Sequence, residues 1–109
     1  MTFEEHVRAA LDSLPPQLAD ALENVAVVIH DEHAEDPDLF GLYEGTPLPE
    51  RSSAAVGNLP DQITIYRLPL EESFPDPEEL EEEIRITVLH ELAHYFGIDE
   101  DRLDELGYG

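Results

Sequence analysis

Apolar positions recur along the chain with two periods, helical and alternating, and their order predicts an α+β protein. Near the start Phe3, Val7, Ala10, Leu11 and Leu14 keep helical spacing. Thr2, with Glu5 three residues on, forms a capping box, so a core-packing helix runs from Thr2 to about Leu14. Pro15 ends it, and Pro16 opens a second helix to about Glu23 with Leu18, Ala21 and Leu22 inward. Val25-Ala26-Val27-Val28-Ile29 is a near-continuous run of β-formers, which predicts a strand buried on both faces and central in its sheet. Leu39 to Tyr43 predicts a short strand in which Gly41 permits a bulge or a close approach. Gln62-Ile63-Thr64-Ile65-Tyr66 alternates and predicts another strand, and Ala54 to Gly57 is a brief extended candidate.

The longest helix comes late. Asp76 is an N-cap, Pro77 suits the first helical position, and Glu78 and Glu79 favour the positive end of the dipole. No Gly or Pro then intervenes until Gly97, placed as the terminator. On a wheel of about 100° per residue, Ile84, Ile86, Val88, Leu89, Leu92, Ala93 and Phe96 cover roughly 200°. Thr87, His90, Glu91 and His94 share the remaining arc beside Glu83. Residues 45–53 read as irregular and 68–75 as a connection. Asp99 can cap a last short helix through Leu106. The expected architecture is one α+β domain over residues 1–109, a small mixed sheet of three to four strands with helices on one face.

Composition narrows the chemistry. The 109 residues suit one domain, and the absence of Cys excludes both a disulfide framework and a thiolate metal site. A net charge of −22, from 27 acidic against 5 basic side chains, disfavours nucleic acid and anionic membranes as partners. Solubility explains that charge more simply than a preference for cationic partners. The start lacks a basic segment followed by an apolar run, and nothing approaches a membrane span, so a cytoplasmic protein is expected.

Candidate chemistry concentrates in His90-Glu91-Leu92-Ala93-His94. Two histidines at i and i+4 stand one turn apart on one helix face and can share a metal ion, with Glu91 in reach as general base. With no thiolate available, His and carboxylate ligation suits zinc. A third ligand is needed, and Gly97 can turn the chain back toward the metal. Glu100 occupies that place, with Asp101 and Asp99 as close rivals. A glutamate on a further helix would have to be Glu105, which comes early for that arrangement, and Met1 cannot supply a methionine turn. His30 and His33 lie among carboxylates in a loop that fixes no geometry, so an incidental role is expected there. His6 is expected at the surface or in packing, and Tyr95 buried.

Residues 86–108, together with Leu42-Tyr43-Glu44-Gly45-Thr46-Pro47-Leu48 and Pro60-Asp61-Gln62-Ile63-Thr64-Ile65-Tyr66-Arg67, resemble the small bacterial zincin-like metallopeptidases. The resemblance implies a minimal zincin fold and a metal motif H-E-x-x-H-x-x-G-x-x-D, with His90 and His94 as ligands and Glu91 as the base. Glu100 stands where that pattern has Asp. The expected activity is zinc-dependent hydrolysis of a peptide or protein whose identity the sequence does not reveal. Tyr108, Tyr66 or Arg102 are candidates to stabilise the oxyanion, and an extended substrate would use a sheet edge near Leu42-Tyr43 or Ala54 to Gly57. The rival is a non-catalytic zinc-binding module acting as an adaptor or chaperone. Glu91 counts against it, because ligation alone does not require that residue.

Overall fold

The computed structural model describes residues 2–45, 61–98, 101, 102 and 105. The predicted strand at 54–57, and Asp99, Glu100 and Tyr108, lie outside them. The first helix, α1 (Phe3–Asp12), opens on the expected capping box: Thr2 Oγ1 accepts from the Glu5 N–H at 3.2 Å, and Glu5 Oε1 accepts from the Thr2 N–H at 3.0 Å. Phe3, Val7 and Ala10 face the core. A short α2 (Pro16–Ala21) and a single 3-10 turn (Leu22–Asn24) lead into β1 (Val25–His30). Then come β2 (Gly41–Glu44), β3 (Asp61–Tyr66), α3 (Arg67–Ser73) and α4 (Pro77–Tyr95).

The sheet is mixed, with order β1-β3-β2. β1 pairs parallel to β3 with Val27 opposite Ile63, and β2 pairs antiparallel with Tyr43 opposite Ile63. The expectation that β1 is central is therefore corrected: among the described residues β3 is central and β1 lies at the edge. Val25, Val27 and Ile29 pack on the core, but Ala26 and His30 are exposed. A β-branched run fits any pleated, half-buried strand and does not by itself require burial on both faces. The alternating strand took the centre because its polar side is also covered and satisfied. Ile63 and Ile65 fill the core, while the buried Thr64 accepts a hydrogen bond from Gln62 Nε2.

Helix α4 crosses β2 and β3 and packs with α1, joining Ile84, Val88 and Leu92 to Phe3, Val7, Ile63 and Ile65 in one apolar cluster. His6, 7% exposed, sits at the α1–α4 contact with Nδ1 3.1 Å from Glu81 Oε1, so its role is packing. The connection before α4 is partly helical, which the sequence reading did not anticipate. Pro69 falls in the first turn of α3, where its missing N–H costs nothing, and Arg67 spans one turn to Glu71 at 2.7 Å. Arg67 also reaches Asp31 at 2.9 Å, tying α3 to the end of β1.

Both ends of α4 close as its sequence predicts. Asp76 accepts from the Glu78 N–H at 2.8 Å. At the other end Gly97, with φ of 81°, carries a Schellman turn: its N–H reaches His94 O at 3.0 Å and the Ile98 N–H reaches Ala93 O at 3.0 Å. Replacing Asp76 by Ala leaves those first-turn donors to water. We expect a loss of about 1 kcal/mol of stability in a denaturant titration, and an unchanged midpoint would remove the cap from the account. No described helix is long and apolar enough to cross a membrane.

Candidate metal centre

The polar slot on α4 becomes a cluster because helical geometry puts positions 87, 90, 91 and 94 on one face, with Thr87 and Glu91 against β2. His90 and His94 are half-buried, with ring centroids 4.9 Å apart and planes at 78°. Glu91 is 8% exposed, and one ligand atom from each of the three residues lies within 4.8 Å of the others. Two nitrogens bound to one zinc at about 2.1 Å each are at most ~4.2 Å apart, so this donor set fits an ion with small side-chain adjustment. Imidazole nitrogens beside a carboxylate are also the ligand types that zinc and its neighbours prefer.

Glu91 is held from outside its own helix. Its Oε1 accepts the Tyr43 backbone N–H at 3.0 Å, while Oε2 lies 4.0 Å from His90 Nε2, on the histidine side. The strand register explains why that N–H is available. Phe40 O accepts from the Tyr66 N–H, so residues 40, 42 and 44 pair with β3 and the backbone groups of Gly41 and Tyr43 point to the other edge. Gly41 makes the approach possible, since a Cβ there would stand 2.5 Å from Thr87 Cγ2 and 3.4 Å from Glu91 Cγ. Of the two uses predicted for Gly41, close approach is the one found. Thr87 turns its hydroxyl back to Glu83 O at 2.8 Å, leaving its methyl toward the strand.

The ring of Tyr43 extends the same contact, packing edge-on to the buried Tyr95 at 6.2 Å and donating its hydroxyl to Asp61 Oδ2 at 2.6 Å. Tyr66 is buried on β3 beside His33. Burial first, then the charges of Glu44 and Glu91, hold its phenol above the ordinary value, so it stays protonated at neutral pH. Arg102 is exposed and pairs with Glu105 at 2.9 Å. Asp101 is exposed and stands outside the His90–Glu91–His94 group, while Glu100 and Asp99 are not among the described residues.

His30 and His33 belong to no metal group among the described residues. His33 Nδ1 instead accepts the N–H groups of Glu35 and Asp36, each at 3.1 Å, and so shapes the loop that follows β1. That loop, through Asp36, Asp38 and Leu39, comes to lie across from Glu83 and Ile86 of α4. Sequence reasoning missed this neighbour of the site, because no spacing or motif links residues so far apart. It also missed the Tyr43 N–H, although the glycine two residues earlier was a usable signal of close backbone approach.

No curated protein matches the chain significantly. The family model of zincin-like metallopeptidases matches residues 22–109, from the turn before β1 through the histidine helix and beyond. A match over most of the sequence, running through the very helix that brings two imidazoles and a buried carboxylate together, places this chain in the zincin-like metallopeptidase family.

Proposed function

We propose that the protein is a zinc-dependent peptidase in which His90 and His94 are ligands and Glu91 is the general base. A third ligand comes from the segment after Gly97, Glu100 first and then Asp101 or Asp99. The observation that carries this reading is Glu91 itself, buried and bonded to β2 at one oxygen while its other oxygen faces the histidines. Two imidazoles with a carboxylate from the same turn, one oxygen held by β2 and the other toward the histidines, match the arrangement in which the carboxylate serves as base to a metal-bound water.

A zinc ion, when bound, lowers the pKa of a water toward neutrality and polarises a carbonyl. The chain's own residues then determine the proton's path. The Tyr43 N–H holds Glu91 Oε1 and fixes the orientation of the carboxylate. Glu91 Oε2 is the oxygen on the side of the imidazoles; it takes the proton and returns it to the leaving amine. An extended peptide would lie along the outward edge of β2, where the Gly41 groups and the Tyr43 carbonyl point away from β3 while the Tyr43 N–H is held by Glu91. The substrate is a peptide or protein, the partners exclude nucleic acid and membrane, and the cytoplasm is the proposed setting.

Two measurements test the reading. Elemental analysis after zinc loading and dialysis is expected to find about one equivalent on the wild type and none on His90→Ala/His94→Ala. Incubation of the loaded protein with a mixed peptide library, read by mass spectrometry, should yield new termini that the double variant does not produce. A loaded wild type that cuts nothing in a library covering all residue pairs would defeat the proposal.

A further inference from the structure

Beside the histidines a cleft of about 400 Å³ runs between the 36–40 loop and α4. Leu39, Phe40 and Ile86, all half-buried, line it together with Gly41, Thr87, His90 and Glu91. Asp36, Asp38 and Glu83 line it as well, and no arginine among the described residues does. The chain has no lysine at all. Arg67, Arg85 and Arg102 pair with Asp31 and Glu71, with Glu82, and with Glu105, and neither they nor Arg8 on α1 are among the residues that line the cleft.

A cleft lined by apolar side chains and by the carboxylates of Asp36, Asp38 and Glu83 matches one kind of side chain, a long aliphatic stem ending in a positive charge. The stem lies on the apolar side chains and the charged head reaches the carboxylates. Low-dielectric walls concentrate the field of these charges, so the preference is local and exceeds what the overall charge of −22 would give. Because His90 and Glu91 line the same cleft, its occupant would be a residue near the scissile bond.

We infer that this cleft is a specificity pocket for an arginine or lysine side chain of the substrate. The inference rests on the peptidase reading only for the occupant being part of a substrate, and binding alone can test it.

The probe is a set of fluorescein-labelled hexapeptides, with arginine or its neutral analogue citrulline at each position in turn. They are titrated by anisotropy onto the zinc-loaded Glu91→Gln protein, which binds without turnover. At one position arginine should bind about five- to tenfold more tightly than citrulline, and the ratio should shrink as salt rises. Asp36→Asn/Asp38→Asn/Glu83→Gln should bring that ratio close to one. Asn keeps an acceptor for the turn in which Asp36 Oδ1 receives the Asp38 N–H, so the loop is preserved. The control Asp12→Asn/Asp20→Asn/Glu23→Gln removes the same charge from exposed positions of the first two helices and the turn after them, and should leave the ratio intact.

Equal binding of arginine and citrulline peptides, absence of binding by any peptide, or equal effects of the two triple variants would each overturn the pocket. An arginine preference abolished only by the cleft variant, in a protein that cleaves nothing, would sustain the pocket and sink the peptidase. Cleavage with no such preference would do the reverse.

Discussion

Replacing Glu91 with glutamine is expected to keep both fold and metal and to lower the rate of peptide hydrolysis by roughly 10²- to 10⁴-fold. The amide is nearly isosteric, and its oxygen can still accept the Tyr43 N–H that holds Glu91 Oε1 at 3.0 Å. The position is 92% buried by the same contacts, so an amide that keeps this bond adds no unsatisfied group. What the amide cannot do is carry a proton between nucleophile and leaving group. Metal content by elemental analysis and kcat on a library-derived substrate separate the two roles. A variant that retains hydrolysis would show that Glu91 is not the base. One that loses zinc together with activity would make Glu91 a ligand, and the third-ligand role of the segment after Gly97 would then be in doubt.

The second large effect comes from a residue with no side chain. Gly41→Ala puts a methyl 2.5 Å from Thr87 Cγ2, well inside contact distance, with Thr64 O at 3.3 Å also crowded. Neither neighbour can move freely, because the Thr87 hydroxyl is anchored to Glu83 O and Thr64 belongs to the central strand. Overpacking of this kind costs about 1–3 kcal/mol, and a displacement of β2 by ~1 Å would carry the Tyr43 N–H away from Glu91. A shift of that size at a catalytic group lowers rates by roughly 10²-fold. Thr87→Ser removes the obstructing methyl while keeping the hydroxyl, so the pair Gly41→Ala/Thr87→Ser should recover much of both losses. Chemical denaturation and kcat/KM across the four proteins measure the coupling. Additive effects would mean that Gly41 and Thr87 do not meet as described.

The two predictions draw on different sources. Glu91 and its histidines were legible from spacing alone, because i and i+4 on a helix share a face wherever that helix sits. The ends of α4 were legible for a similar reason: Asp76 and Gly97 act within a turn of their own positions. The capping box at Thr2 and Glu5 and the buried face of α1 belong to the same class. The family match then agreed with a resemblance whose motifs lay along the same stretch.

Position within the sheet was not legible. The run beginning at Val25 has stronger β-formers than the strand ending at Tyr66, yet the latter is central. Strand order depends on which edges meet after the chain doubles back, and composition measures only how well each segment suits a pleat. The helix within 67–73 was hidden by Pro69, harmless in a first turn and discouraging in a linear reading.

Local sequence, acting over one or two turns, thus determined the helices, their caps and the alignment of His90, Glu91 and His94 on one face. Tertiary structure alone decided that β2 would lend its Tyr43 N–H to Glu91 and that the Asp36 loop would wall a cleft beside His90. The physical reason is range: capping and helical periodicity are complete within a few residues, whereas a hydrogen bond between residues 43 and 91 exists only once the core has brought strand and helix together.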